Sequence, residues 1–121
     1  MKILIVDDEI LIRELLTLII ENFDETIEVF EASNGLEGLE IIRQQKPDIV
    51  FLDVMMPKMS GFDVCRILQS DPPSWQMDVI VISAKAQETD KQMAQELGAK
   101  EFITKPFKID DIKEVIKKFG K

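Results

Sequence analysis

Histidine is absent from this chain of 121 residues, and cysteine occurs once. The first absence excludes Ser-His-Asp and Cys-His triads, His-rich zinc sites and any histidine general base. The second excludes an internal disulfide. Cys65 lies in an amphipathic run with Phe62, Ile67 and Leu68, where a packing role outweighs a redox one. No apolar run approaches the roughly 20 residues of a membrane span, and the start from Met1 to Val6 meets Asp7 and Asp8 too early for a signal peptide. A cytoplasmic protein without membrane contact is expected. Glycine and proline are scarce, 5 of each, which with 45% hydrophobic and 31% charged residues argues against a disordered or fibrous chain. A basic excess is lacking too. The formal charge of -8 argues against non-specific nucleic-acid binding, and the expected partners are proteins with basic surface.

What is present is an alternation. The length suits one domain over residues 1–121, able to bury a core without disulfides or structural metal. Short apolar runs rich in β-branched residues predict strands near 2–6, 27–31, 48–52, 78–82 and 101–104. Helical spacing predicts helices near 9–22, 35–45, 61–70, 88–97 and 109–119. The first helix is expected to bury Ile10, Leu11, Leu15, Leu18 and Ile19, and the last Ile109, Ile112, Val115, Ile116 and Phe119. Ser33 or Asn34 and Ser60 are suited to start helices, and Gly98 to end one. Such a (βα)5 chain demands a parallel sheet with right-handed crossovers and helices on both faces, an α/β doubly wound three-layer sandwich. The strand order 2-1-3-4-5 is that of flavodoxin-like folds, and is adopted here by analogy with them. In the irregular stretch 70–76, Trp75 is expected to cover apolar surface.

Ligands in such sheets sit at the carboxyl ends of the strands, and in the order 2-1-3-4-5 the switch point lies between strands one and three. Asp7 and Asp8 close the first strand and Asp53 the third. Ser83 ends the fourth and Lys105 the fifth. Two like charges about 4 Å apart repel by about 4 kcal/mol at an effective dielectric near 20, so a divalent cation would relieve the cluster. A carboxylate nucleophile, a hydroxyl, an ammonium and an acidic pair are what phosphoryl transfer to an aspartate needs. Each residue alone has a plainer reading: Asp7 and Asp8 as helix caps, Asp53 as a loop acid, Ser83 as an N-cap, Lys105 as a solvated lysine. A capping account gives no reason for two acidic strand ends and a lysine to coincide. Lys113, Lys117 and Lys118 read as a solvated face.

At these residues the chain resembles the receiver domain of two-component response regulators over essentially its whole length. The resemblance rests on Val6-Asp7-Asp8-Glu9, on Leu52-Asp53-Val54-Met55-Met56-Pro57 followed by Gly61, on Ser83-Ala84, and on Lys105-Pro106-Phe107, in this order. It implies that Asp53 is the phosphoacceptor and that Mg2+, or Mn2+, is held by Asp8, Asp53 and the Met55 carbonyl, with Asp7 acting through water. Ser83 and Lys105 would contact the phosphoryl group. Ser83 and Phe102 would form the switch, with helix four, strand five and helix five as the face toward a protein target. Phe102 departs from the Tyr or His often found there, so switching would rest on packing. The resemblance makes Met55 and Lys85 the positions that tune phosphoryl lifetime. An apolar Met55 and a basic Lys85 imply slow self-dephosphorylation. It also implies a cis peptide before Pro106.

The expected function is that of a single-domain, phosphorelay-type response regulator, not an enzyme, limited to its own phosphorylation and dephosphorylation. The donor would be a partner histidine kinase or histidine phosphotransfer protein, since the chain has no histidine. A phosphorylation-dependent dimer stays open. A phosphatase of the haloacid dehalogenase type also uses a strand-terminal aspartate and magnesium, but wants Asp-x-Asp where this chain reads Asp7-Asp8-Glu9. A flavodoxin-like cofactor binder wants a Ser/Thr/Gly-rich loop after strand one, and here that loop is acidic. A docking module without phosphorylation would not need the whole set of acids, hydroxyl and lysine.

Overall fold

The computed structural model describes residues 1–120. Five parallel strands, β1 (Lys2–Val6), β2 (Glu28–Ala32), β3 (Ile49–Asp53), β4 (Asp78–Ser83) and β5 (Glu101–Thr104), form one sheet in the order β2-β1-β3-β4-β5. They alternate with α1 (Ile10–Phe23), α2 (Gly35–Gln45), α3 (Gly61–Ser70), α4 (Glu88–Glu96) and α5 (Ile109–Phe119). The doubly wound (βα)5 architecture and strand order expected from the sequence are those found. Strands β2 and β3 begin one residue later than expected. Asp48, just ahead of β3, already joins both neighbours: its N–H donates to the Lys2 carbonyl at 2.8 Å, its carbonyl accepts the Asp78 N–H at 2.9 Å, and its carboxylate accepts the Lys2 N–H at 2.9 Å.

Side-chain alternation sorts the sheet into two cores. On one face Ile3, Ile5, Ile49, Phe51, Ile80, Ile82 and Ile103 pack against Leu16, Ile19 and Ile20 of α1 and Ile112, Val115 and Ile116 of α5. On the other, Leu4, Val6, Val50, Leu52 and Val79 meet Leu39 and Ile42 of α2 and Val64 and Cys65 of α3. The central strand β3 is buried along its whole length, as its unbroken apolar run requires. A third, smaller cluster joins Val54, Val81 and Ala94 of α4, with Phe62, Ala99 and Phe102 packed against it.

The expected buried face of α1 is corrected by the structure. Ile10, Leu11, Leu15 and Leu18 are exposed, at 58%, 74%, 43% and 58%, and the sheet receives Leu16, Ile19 and Ile20, with Ile12 and Phe23 packed at the edge. The helix is apolar nearly all the way round, so two rows at helical spacing compete and the pattern alone does not choose between them. In α5 the expected stripe holds at Ile112, Val115 and Ile116, whereas Ile109, in the first turn, is 54% exposed.

Helix ends follow local chemistry. Asn34, not Ser33, caps α2, its side chain accepting the Glu37 N–H at 2.9 Å. Ser60 and Asp63 form a reciprocal capping box at α3. Helix α4 stops at Glu96, and Gly98 follows in the left-handed region at φ 95°. Trp75 packs onto the α2–α3 core and donates its indole N–H to the Pro47 carbonyl at 2.8 Å.

Candidate functional site

The order β2-β1-β3 reverses direction between β1 and β3, and the crevice this leaves at their carboxyl ends is floored by Asp7 and Asp53, 2% and 4% exposed. The β1 ladder runs one residue beyond the strand, Asp7 donating its N–H to the Ala32 carbonyl at 3.1 Å, which seats the acid against the sheet. Its Oδ1 accepts the Glu9 N–H at 2.9 Å and its Oδ2 the Lys105 ammonium at 2.9 Å. Lys105 Nζ also lies 3.4 Å from Asp53 Oδ2 and 3.3 Å from Glu9 Oε1. One ammonium thus neutralises part of three carboxylates. Asp53 Oδ1 accepts the Met55 N–H at 3.3 Å.

Burial, and then the Asp7 charge, push the Asp53 carboxyl up to about 6, against the lowering effect of Lys105 and the Met55 N–H. For Lys105, burial disfavours the charge, but its contacts with Asp7, Asp53 and Glu9 outweigh that and hold its pKa above the ordinary lysine value. At neutral pH the site therefore holds an ionised Asp53 carboxylate beside a firmly charged lysine.

Two further residues shape the loops around Asp53 and Asp7. A Cβ on Gly61 would run into the Asp53 carbonyl, and into its carbon at 2.9 Å, so α3 can start this close to β3 only with glycine there. Gly61 in turn donates its N–H to the Val54 carbonyl at 3.0 Å. Arg13 was not foreseen from the sequence. Its guanidinium, 14% exposed, donates to the Asp7 carbonyl at 2.7 Å and pairs with Glu31 of β2 at 3.1 Å, pinning the acidic loop to the sheet. The available signal was its position: Arg13 is the one basic residue of α1 and lies near the helix's N-terminus, where a cation is disfavoured by the helix dipole unless something holds it.

Ser83 is fully buried, and its Oγ accepts the Lys85 N–H at 3.0 Å. Lys85 places its ammonium 3.7 Å from Asp90 of α4 and lines, with Asp8 and Met55, a cleft of about 500 Å³. Phe102 is partly buried on β5 beside the Val54–Ala94 cluster. Lys105 donates its backbone N–H to the Ser83 carbonyl at 3.0 Å, and the Lys105–Pro106 peptide is cis. Carboxylate oxygens of Asp7, Asp8, Glu9 and Asp53 lie within 4.8 Å of one another. Four hard oxygen donors around an exposed mouth, where Asp8 stands in solvent, fit magnesium, which keeps several waters beside one or two carboxylates.

Strand order and layering place the molecule in the CheY-like class of flavodoxin folds. The structure of Vibrio cholerae chemotaxis protein CheY4 superposes with a TM-score of 0.86 at 25% identity, over 98% of this chain and 97% of that one. The signal receiver domain of a DNA binding response regulator protein from Colwellia psychrerythraea gives 0.90 at 28% identity, over 97% and 95%. The family model of the response regulator receiver domain matches residues 3–117. Protein PilH of Pseudomonas aeruginosa is 39% identical over 105 residues, which are 87% of this chain and 85% of PilH. The alkaline phosphatase synthesis transcriptional regulatory protein PhoP of Bacillus subtilis is 37% identical over 117 residues, 96% of this chain but 47% of PhoP. The chain belongs to the response regulator receiver domain family of two-component systems. It spans less than half the length of PhoP and of the DNA-binding response regulator MtrA of several mycobacteria, which it also matches. Receiver domains are signalling phosphoacceptors, not metabolic enzymes; they bind Mg2+ in an acidic pocket and interact with histidine kinases or phosphotransfer proteins. Among the described residues no helix is long and apolar enough to cross a membrane.

Proposed function

We propose that this chain is a phosphorylation switch whose acceptor is Asp53. The observation that carries the reading is the Lys105 ammonium, held within 3.4 Å of both Asp7 and Asp53 by residues 98 and 52 positions away in sequence. A structural lysine would have no need of two buried strand-terminal acids. With its pKa near 6, Asp53 is ionised at neutral pH, and an oxygen of its carboxylate attacks the phosphorus of a donor phosphohistidine. The new O–P bond forms as the P–N bond breaks, and the electron pair leaves with the donor imidazole. Lys105 and the Ser83 hydroxyl bind the phosphoryl oxygens, and fixed donors of this kind carry most of the catalysis in phosphoryl transfer. Asp8, Asp53 and the Met55 carbonyl would hold Mg2+ or Mn2+, with Asp7 acting through water; the ion supplies charge neutralisation at the transferred group.

The partner reading is supported by the exposed row on α1. It begins at Ile10, the residue after Glu9, and so flanks the approach to Asp53; a helical donor presenting a phosphohistidine would cover it. Toward the target, Ser83 and Phe102 form the switch and α4, β5 and α5 the output face. Met55, 59% exposed at the cleft mouth, offers no polar group to orient water, which with Lys85 favours a long-lived acyl phosphate. A cytoplasmic location, action as a single domain and control of a protein target rather than nucleic acid complete the reading.

Incubation with Mg2+ and a small acyl-phosphate donor, followed by intact mass, tests it. Wild type is expected to gain one phosphoryl group and Asp53→Asn none. A gain retained by Asp53→Asn would assign another acceptor. No gain with any divalent metal would favour a docking module that is never phosphorylated.

A further inference from the structure

Among the described residues, the buried carboxylates outside the Asp7–Asp53 pair are Asp78 and Asp90. Asp78 starts β4, at the far end of the sheet from the site. Asp90 is different. It sits in the first turn of α4, 6% exposed, and its two oxygens do two jobs. Oδ2 accepts the Gln87 N–H at 3.1 Å, as part of the capping box. Oδ1 faces the Lys85 ammonium at 3.7 Å, an ion pair beyond hydrogen-bond length. The pair is loose, and the Lys85 side chain is 54% exposed.

Lys85 is also tied to the phosphorylation site by its backbone. Its N–H rests on the Ser83 hydroxyl at 3.0 Å, and it shares the cleft with Asp8 and Met55. We propose that Asp90 is a positioning residue for Lys85: it holds the ammonium at α4 in the unmodified protein and yields it to the phosphoryl oxygens once Asp53 is modified. This rests on Asp53 being the acceptor.

The exchange follows from charge. A phosphoryl group presents about -1.5 to -2 charges on its outer oxygens in place of the single charge of the Asp53 carboxylate, against one on Asp90, and those oxygens stand farther out toward Lys85. Lys105 is already shared among Asp7, Glu9 and Asp53, which leaves Lys85 as the nearest cation along the chain from Ser83 that is not held by that cluster. When Lys85 leaves, Asp90 Oδ1 is a buried anionic oxygen without its counter-charge, and the first turn of α4 loses part of its support. One turn on, Ala94 packs in the cluster that holds Val54, Val81 and Phe102. Loosening at Asp90 therefore reaches the same helix that carries the proposed output face.

Asp90→Asn separates the two jobs, because the amide oxygen still accepts the Gln87 N–H while the charge that holds Lys85 is gone. Beryllofluoride with Mg2+, a phosphoryl mimic, would be titrated by 19F NMR into wild type, Asp90→Asn, Lys85→Met and the double variant. Asp90→Asn is expected to bind up to about fivefold tighter, the range of a partly exposed ion pair, and Lys85→Met to bind weaker than wild type. In the Lys85→Met background Asp90→Asn is expected to change nothing, a non-additivity that loss of structure does not imitate. Amide exchange over residues 87–91 is expected to quicken on beryllofluoride binding in wild type, with no such change in the double variant. Equal effects of Asp90→Asn in both backgrounds, or none in either, would overturn the inference while leaving the acceptor intact. If wild type neither binds beryllofluoride nor takes a phosphoryl group on Asp53, the acceptor reading fails, and this inference with it.

Discussion

Asp53 sits at odds with its own fold. The unfolded chain would release the Asp53 proton near the ordinary value of 3.8, whereas the folded protein keeps it up to about 6. Between about pH 4 and 6 the native state binds more protons than the unfolded state, so this group's contribution to stability falls as pH rises through that window and the deficit persists above it. Asp53→Asn removes the ionisation. Its melting temperature, without divalent metal, is expected to exceed that of wild type at pH 7 and to match it below about pH 4. An advantage that grew on acidification would contradict the burial account. Gly61→Ala belongs beside it: the added methyl meets backbone, which has little room to yield, so the Asp53 carbonyl must move and phosphoryl uptake should fall even if the fold survives.

Among elements, the lesson lies in α1. Leu16→Ala is expected to cost about 2–5 kcal/mol in urea denaturation, as truncations at sealed core positions do, while Leu11→Gln stays within about 0.5 kcal/mol. The opposite ranking would restore the face that periodicity suggested. Strands were legible because β1, β3 and β4 are buried on both sides and leave unbroken apolar runs, and the strand-end acids, Ser83 and Lys105 stood out because those runs stop at them. What the sequence hid was choice among equals. Two apolar rows on α1 satisfy the same spacing, and only contact with Ile3, Phe51 and their neighbours selects one. Arg13 and Asp90 were hidden for another reason: their partners, the Asp7 carbonyl and Lys85, are met through loop geometry that residue spacing does not encode.

For the whole molecule, the strand-end acids are expected to make stability a function of metal. An ion that binds only the folded state adds stability by mass action, about 2.7 kcal/mol at a hundredfold excess over its dissociation constant. Mg2+ is expected to raise the melting temperature of wild type, chelation to reverse it, and Asp8→Asn to blunt it; a metal-independent melt would argue against the acidic pocket as a cation site. The unfolded state has no such pocket, so the effect should vanish once the chain is denatured.

The lone tryptophan stands at the other end of this sheet. Trp75 is fastened to the Pro47 carbonyl, ahead of the first residue of β3, while Asp53 is its last. At about 3.3 Å per residue the strand keeps the two apart by roughly 15 Å, with the α2–α3 core around the indole. On the proposed Asp53 reading, Trp75 is an optical probe blind to phosphorylation: indole emission is expected to follow unfolding and to stay flat when a phosphoryl donor is added.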